Sequence, residues 1–85
     1  MVESREIAQR LLAIIRRDID AFGYARYNAV RAELESDFGE RAIVYKRGRR
    51  NIAPDVLQEF NALPGWERLE WQAPRQRWVE ADGTI

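Results

Sequence analysis

Eighty-five residues, 46% of them hydrophobic and 33% charged, make a single small globular domain and exclude a disordered chain. Without histidine or cysteine there is no imidazole base, no thiolate nucleophile, no Cys/His zinc site and no disulfide framework. Fourteen basic and fourteen acidic side chains cancel, which excludes the overall basic balance usual in nucleic-acid-binding domains.

A chain of this size buries only about 60–65% of its unfolded surface, so each large apolar side chain counts. No apolar run approaches the roughly 18 residues that cross a bilayer. The start, Met1-Val2-Glu3-Ser4-Arg5-Glu6, lacks a signal-peptide pattern. A cytoplasmic protein is expected, with one domain over residues 1–85 and an ordered core over about 4–80.

The first expected helix opens at Ser4, a candidate N-cap, and stops at Gly23. Ile7, Ala8, Leu11, Leu12, Ile14, Ile15, Ile19 and Phe22 recur at helical spacing and cover an arc of about 160°. Such a width suits a central core helix touched on both flanks. A second reading makes the row Ala8, Leu12, Ile15, Ile19 and Phe22 a partner or dimer face. A coiled coil needs about three or four heptads, and this row has two. Asp18 lies at the edge of the arc, where it reaches solvent or pairs with a nearby arginine.

Residues 23–26 read as a connector. The second helix carries Tyr27, Val30, Leu34 and Phe38 on one stripe, with Asn28 as a candidate cap and Gly39 as its stop. Ala42-Ile43-Val44-Tyr45 is β-branched and aromatic, a short strand that needs the C-terminal ribbon as partner. The third helix opens at Pro54-Asp55, buries Val56, Leu57, Phe60 and Leu63, and ends at Pro64-Gly65. Leu69 and Trp71 then alternate onto one face of a ribbon. Pro74 falls in its loop, and Trp78 returns to the same face to close the core. Residues 81–85 read as a frayed tail.

The concentrated positive charge lies at Lys46-Arg47-Gly48-Arg49-Arg50, a net +4 around a permissive glycine. Residues 1–45 hold seven Arg against eight carboxylates, and residues 51–85 hold three against six. Lys46, Arg47, Arg49 and Arg50, with Arg75 and Arg77 from the C-terminal hairpin, are the candidate phosphate contacts. The plain alternative is a solvated turn that balances the acidic helices. The third helix argues against groove recognition, because it offers Asp55 and Glu59 where a recognition helix offers donors.

The expected fold is therefore α+β, in the order helix, helix, strand, helix, strand, strand. It is winged-helix-like, with a small three-stranded antiparallel sheet. Its first strand falls between helices two and three, whereas a usual winged helix has it between helices one and two. The series Tyr27, Val30, Leu34, Phe38-Gly39, Tyr45, Asn51-Ile52-Ala53, Val56-Leu57, Glu59-Phe60, Leu69, Trp71 and Trp78 resembles a family of small bacterial winged-helix-like domains of unknown function. The likeness spans residues 24–80. It implies the fold and carries no catalytic or binding residues. Members tend to have Asn, Glu and Gly where this chain has Arg47-Gly48-Arg49-Arg50, which counts against basic charge as a family feature.

The leading expectation is a non-catalytic protein-interaction module, with no cofactor, no metal and no membrane contact. Its partner would be a second copy or another protein. The alternative is a DNA-binding domain that uses residues 46–50 and the C-terminal hairpin.

Overall fold

The computed structural model describes residues 3–81. It is a mixed helix–sheet architecture of three α-helices and two small antiparallel sheets. Helix α1 runs Ser4–Phe22, strand β1 Ala25–Arg26 and helix α2 Tyr27–Phe38. A 3-10 turn at Gly39–Arg41 leads into β2, Ile43–Lys46, and β3, Arg49–Ile52. Helix α3 is Pro54–Asn61, followed by a 3-10 turn at Trp66–Arg68. Strand β4, Leu69–Gln72, and strand β5, Arg77–Glu80, flank a third such turn at Ala73–Arg75.

The wide apolar arc of α1 is the centre of the core. Ile7, Ala8, Leu11, Ile14, Ile15 and Ile19 are buried, and the helix packs against α3, α2, β1 and β5. Ala25 of β1, Val30 and Leu34 of α2, Ala42, Ile43, Ile52, Ala53, Val56, Phe60, Leu63 and Trp78 complete the cluster. The row Ala8, Leu12, Ile15 and Ile19 thus points into the chain's own core, where Leu12 is half-buried and the other three are buried. It is not an exposed seam. The arc is narrower than expected at its end, since Phe22 is 67% exposed. Gly23 stops the helix at φ 86°, its N–H donating to the Ile19 carbonyl.

Four expectations need correction. The strand at 43–46 does not join the C-terminal ribbon. It pairs with β3 as a separate hairpin, in register Ile43↔Ile52 to Lys46↔Arg49. The third strand beside the ribbon is instead β1, within the supposed connector, giving the order β1-β5-β4 with Ala25↔Trp78 and Arg26↔Arg77. Ser4 and Asn28 do not cap their helices; Ser4 Oγ donates to Asp55 Oδ2 across to α3. Trp71 lies opposite Trp78 in β4, but only Trp78 is buried, because β4 is an edge strand and leaves Trp71 45% exposed. In the expected tail, Ala81 donates to the Arg68 carbonyl, and residues 82–85 lie outside the described residues. No helix among the described residues is long and apolar enough to cross a membrane.

Ion pairs fasten α1 to its neighbours. Arg17 donates to Glu33 of α2 at 2.6 and 2.7 Å and to Asp18 at 2.9 and 3.2 Å. Arg10 reaches Asp37 at 3.0 Å and Glu33 at 3.4 Å. The Arg17 hydrogen bonds hold the Glu33 carboxyl below its ordinary value of 4.5. Hydrogen bonds from Ser4, then Arg41, hold Asp55 below 3.8. Both groups favour the charged form in the folded state, so their contribution is complete above those ordinary values and is lost as pH falls through the lowered ones.

Two outcomes follow. Ile15→Ala should lower unfolding free energy by about 2–5 kcal/mol in urea titration, with the same midpoint at two protein concentrations tenfold apart. A midpoint that rises with concentration would instead place the row between copies. Thermal melts should show stability falling as pH drops below about 4, and Glu33→Gln should flatten that fall while lowering the melting temperature at pH 7.

Candidate functional site

The β2–β3 hairpin has a buried root and a charged tip. Ile43 and Ile52 are 8% and 1% exposed, and the Ala53 N–H donates to the Ala42 carbonyl at 2.7 Å, extending the ladder one rung inward. Tyr45 to Arg50 are all exposed. The reversal takes only Arg47 and Gly48, both at positive φ (53° and 75°). Two such residues form the tight turn whose twist matches that of the flanking strands. The basic segment is therefore a projecting ribbon rather than an open loop.

Tyr27, the first residue of α2, sets the hairpin's position. Its hydroxyl accepts from the Ile52 N–H at 3.1 Å and donates to Asn51 Oδ1 at a long 3.4 Å. Its ring packs on Trp78 and Trp71, with centroids 5.8 and 6.0 Å away. The two indoles lie 4.9 Å apart. One aromatic cluster thus joins the sheet of β1, β5 and β4 to the hairpin. The tyrosine tip meets protein groups rather than water.

Around the start of α2 two hollows adjoin. The first is lined by Asn28, Arg31, Tyr45, Gly48, Arg49, Arg50 and Gln76. The second is lined by Arg26, Asn28, Ala29, Arg75, Gln76 and Arg77. They share Asn28 and Gln76. Between them they present six arginines and no carboxylate. Four of the six expected contacts, Arg49, Arg50, Arg75 and Arg77, are brought together here. Lys46 and Arg47 stand apart at the hairpin tip. Arg26 and Arg31 were missed, since neither lies in a run of like charge; only the folding of β1 onto β5 places Arg26 beside Arg77.

Local interactions hold these cations in place. Arg26 and Arg77 are neighbours in register, a like-charge pair that would repel. Both guanidiniums sit over the Tyr24 ring, 5.4 and 5.1 Å from its centroid, and Arg77 Nε donates to Gln72 Oε1 at 2.7 Å. Cation–π attraction offsets part of that repulsion. Gln76, at φ 48°, accepts the Tyr27 N–H on its carbonyl at 2.9 Å. The first turn of α2 holds no acid and has no side-chain cap, so its positive dipole end adds to the same face.

Charge pairing divides the surface. Arg10, Arg16, Arg17 and Arg41 each meet a carboxylate elsewhere on the chain. Arg31 and Arg50 share Glu35, each at 3.5 Å. Among the described residues no carboxylate lies within 4.0 Å of Arg26, Lys46, Arg47, Arg49, Arg75 or Arg77. Arg5 and Arg68 also have no carboxylate that close among the described residues, and Glu70 lines a neighbouring hollow with Arg75 and Arg77. Neutral net charge therefore conceals a local excess of cations at the start of α2 rather than a complete segregation. On α3, Asp55 is bonded to Ser4 and Arg41, so this helix offers no donor-rich face. Among the described residues no group of three or more His, Cys, Asp or Glu side chains could hold a metal ion. No protein-family model, curated protein or solved structure matches the chain.

Tyr27→Phe should keep the aromatic packing and strand the buried Ile52 N–H, costing about 1–3 kcal/mol. In hydrogen exchange, β3 amides should lose protection more than those of α1.

Proposed function

We propose that this protein is a non-catalytic nucleic-acid-binding module of winged-helix-like architecture that grips duplex DNA through phosphate contacts. The observation that carries the reading is the pair of adjoining hollows with six arginines and no carboxylate. Guanidinium forks suit phosphate oxygens, and a strip of them facing one way follows a backbone. The winged-helix likeness is supported by β1 lying between α1 and α2 and by the order β1-β5-β4. The β2–β3 hairpin then replaces the tight turn between the second and third helices. The contact face is the start of α2 with two hairpin ends, not α3, whose Asp55 and Glu59 would repel phosphates. On this reading the protein works in the cytoplasm.

A protein-interaction module is the second reading. Its footing is Phe22, 67% exposed, in a hollow lined also by Asp18, Tyr24, Arg26 and Ala29. The apolar row of α1 no longer supports it, because that row is consumed by the core.

Binding of duplex DNA across a salt series tests the first reading. Arg26, Arg49, Arg75 and Arg77 have no carboxylate partner, so four neutralised phosphates give a log–log slope of about −3.5. The pair Arg49→Ala and Arg75→Ala should leave the fold intact, weaken binding and reduce the slope by roughly 2. Absence of binding at 50 mM salt, or binding that the double variant leaves unchanged, refutes the proposal and turns attention to Phe22.

A further inference from the structure

The hairpin tip carries two local costs, and no carboxylate among the described residues offsets them. Arg47 sits at φ 53°, in the left-handed region where Asn, Asp and Gly are favoured and a longer side chain is not. Lys46 and Arg49 face each other on the last rung, a like-charge cross-strand pair. No carboxylate among the described residues lies within 4.0 Å of Lys46, Arg47 or Arg49. Like charge concentrated at an exposed, tightly turned tip points to a polyanionic ligand that relieves the repulsion.

We propose that the β2–β3 tip is a wing that inserts Arg47 into a narrow, A·T-rich minor groove of duplex DNA, with Lys46 and Arg49 on its two phosphate walls. This rests on the phosphate-binding reading and names its substrate class. The geometry favours this groove over the wider one. A ribbon lying in the major groove, about 12 Å wide, reads base edges along several rungs. Here only the rungs Tyr45↔Arg50 and Lys46↔Arg49 project, too short a ribbon to lie along that groove. The minor groove is about 6 Å wide and too narrow for a ribbon, but it admits one guanidinium. In A-tracts it is narrower still and its negative potential is enhanced, which draws arginine in. The two-residue turn presents a single such side chain at its apex, since Gly48 has none. The six-arginine face behind the tip would then hold the adjoining backbone.

The test compares wild type, Arg47→Asn, and the pair Arg49→Ala and Arg75→Ala on an A-tract duplex, a G·C duplex and a single strand, by fluorescence anisotropy at one salt concentration. Asn is favoured at this turn position, so Arg47→Asn should melt at the same or a higher temperature. It should nevertheless bind the A-tract duplex about tenfold more weakly and lose the preference for A-tract over G·C that wild type shows. A merely structural role for Arg47 would not separate stability from preference in this way. Wild type that binds both duplexes equally or favours G·C overturns the wing, as does an unchanged preference in Arg47→Asn. If the double variant still loses affinity in those cases, phosphate binding by the basic face stands without the wing. Absence of binding to either duplex by wild type overturns both.

Discussion

The structure depends on the burial of one face of α1. A small chain has room for a single element whose apolar surface touches everything else, and this helix carries it. Ile7, Leu11, Ile14 and Ile15 are fully enclosed by α2, α3 and the β1–β5 edge. Dispersion and water exclusion along that row bring together elements that have little stability alone. Strand β1 is two residues long and exists because Ala25 lies against this core and pairs with Trp78. The hairpin likewise stands because Ile43 and Ile52 at its root join the same cluster.

Once the core is closed, charge is sorted by position. The outer side of α1 meets the acidic stripe of α2, and Arg10, Arg17, Glu33 and Asp37 neutralise one another there. Arg41 and Ser4 do the same for Asp55 on α3. These pairs are partly exposed and each contributes modestly. Their larger consequence is subtractive. Glu33, Asp37 and Asp55 are engaged by Arg10, Arg17 and Arg41, and the two hollows at the start of α2 are left to arginines. Glu35 pairs with Arg31 and Arg50 at one side of that face, and Glu70 lines a neighbouring hollow with Arg75 and Arg77. A chain with no net charge can thus present a strongly positive surface.

Tyr27 connects the two levels. Its ring belongs to the aromatic cluster of the three-stranded sheet, and its hydroxyl holds the Ile52 amide of the hairpin. The basic ribbon is thereby fixed relative to Arg75 and Arg77, which flank Gln76, whose carbonyl accepts the Tyr27 N–H. Two hairpin ends thus hold separate cations in a rigid relation to each other.

Helices were legible in the sequence because their signal is local. The 3.6-residue period, Gly23, Gly39 and Pro54 place α1, α2 and the start of α3 within a residue or two. The weight of charge at residues 46–50 was legible for the same reason, as were Arg75 and Arg77 beside Pro74. Strand pairing was not, because it joins residues far apart. Ile43 to Lys46 shows what a strand is but not its partner. Arg49-Arg50-Asn51 has low strand propensity, and its turn lacks the usual Asn-Gly. Ala25–Arg26 has no pattern at all. Only the tertiary structure decided that β1 completes the sheet, that α1 keeps its apolar row to itself, and that Arg26 and Arg31 join the basic face. Those outcomes rest on which surfaces compete for a limited core, and no local stretch of sequence records that competition.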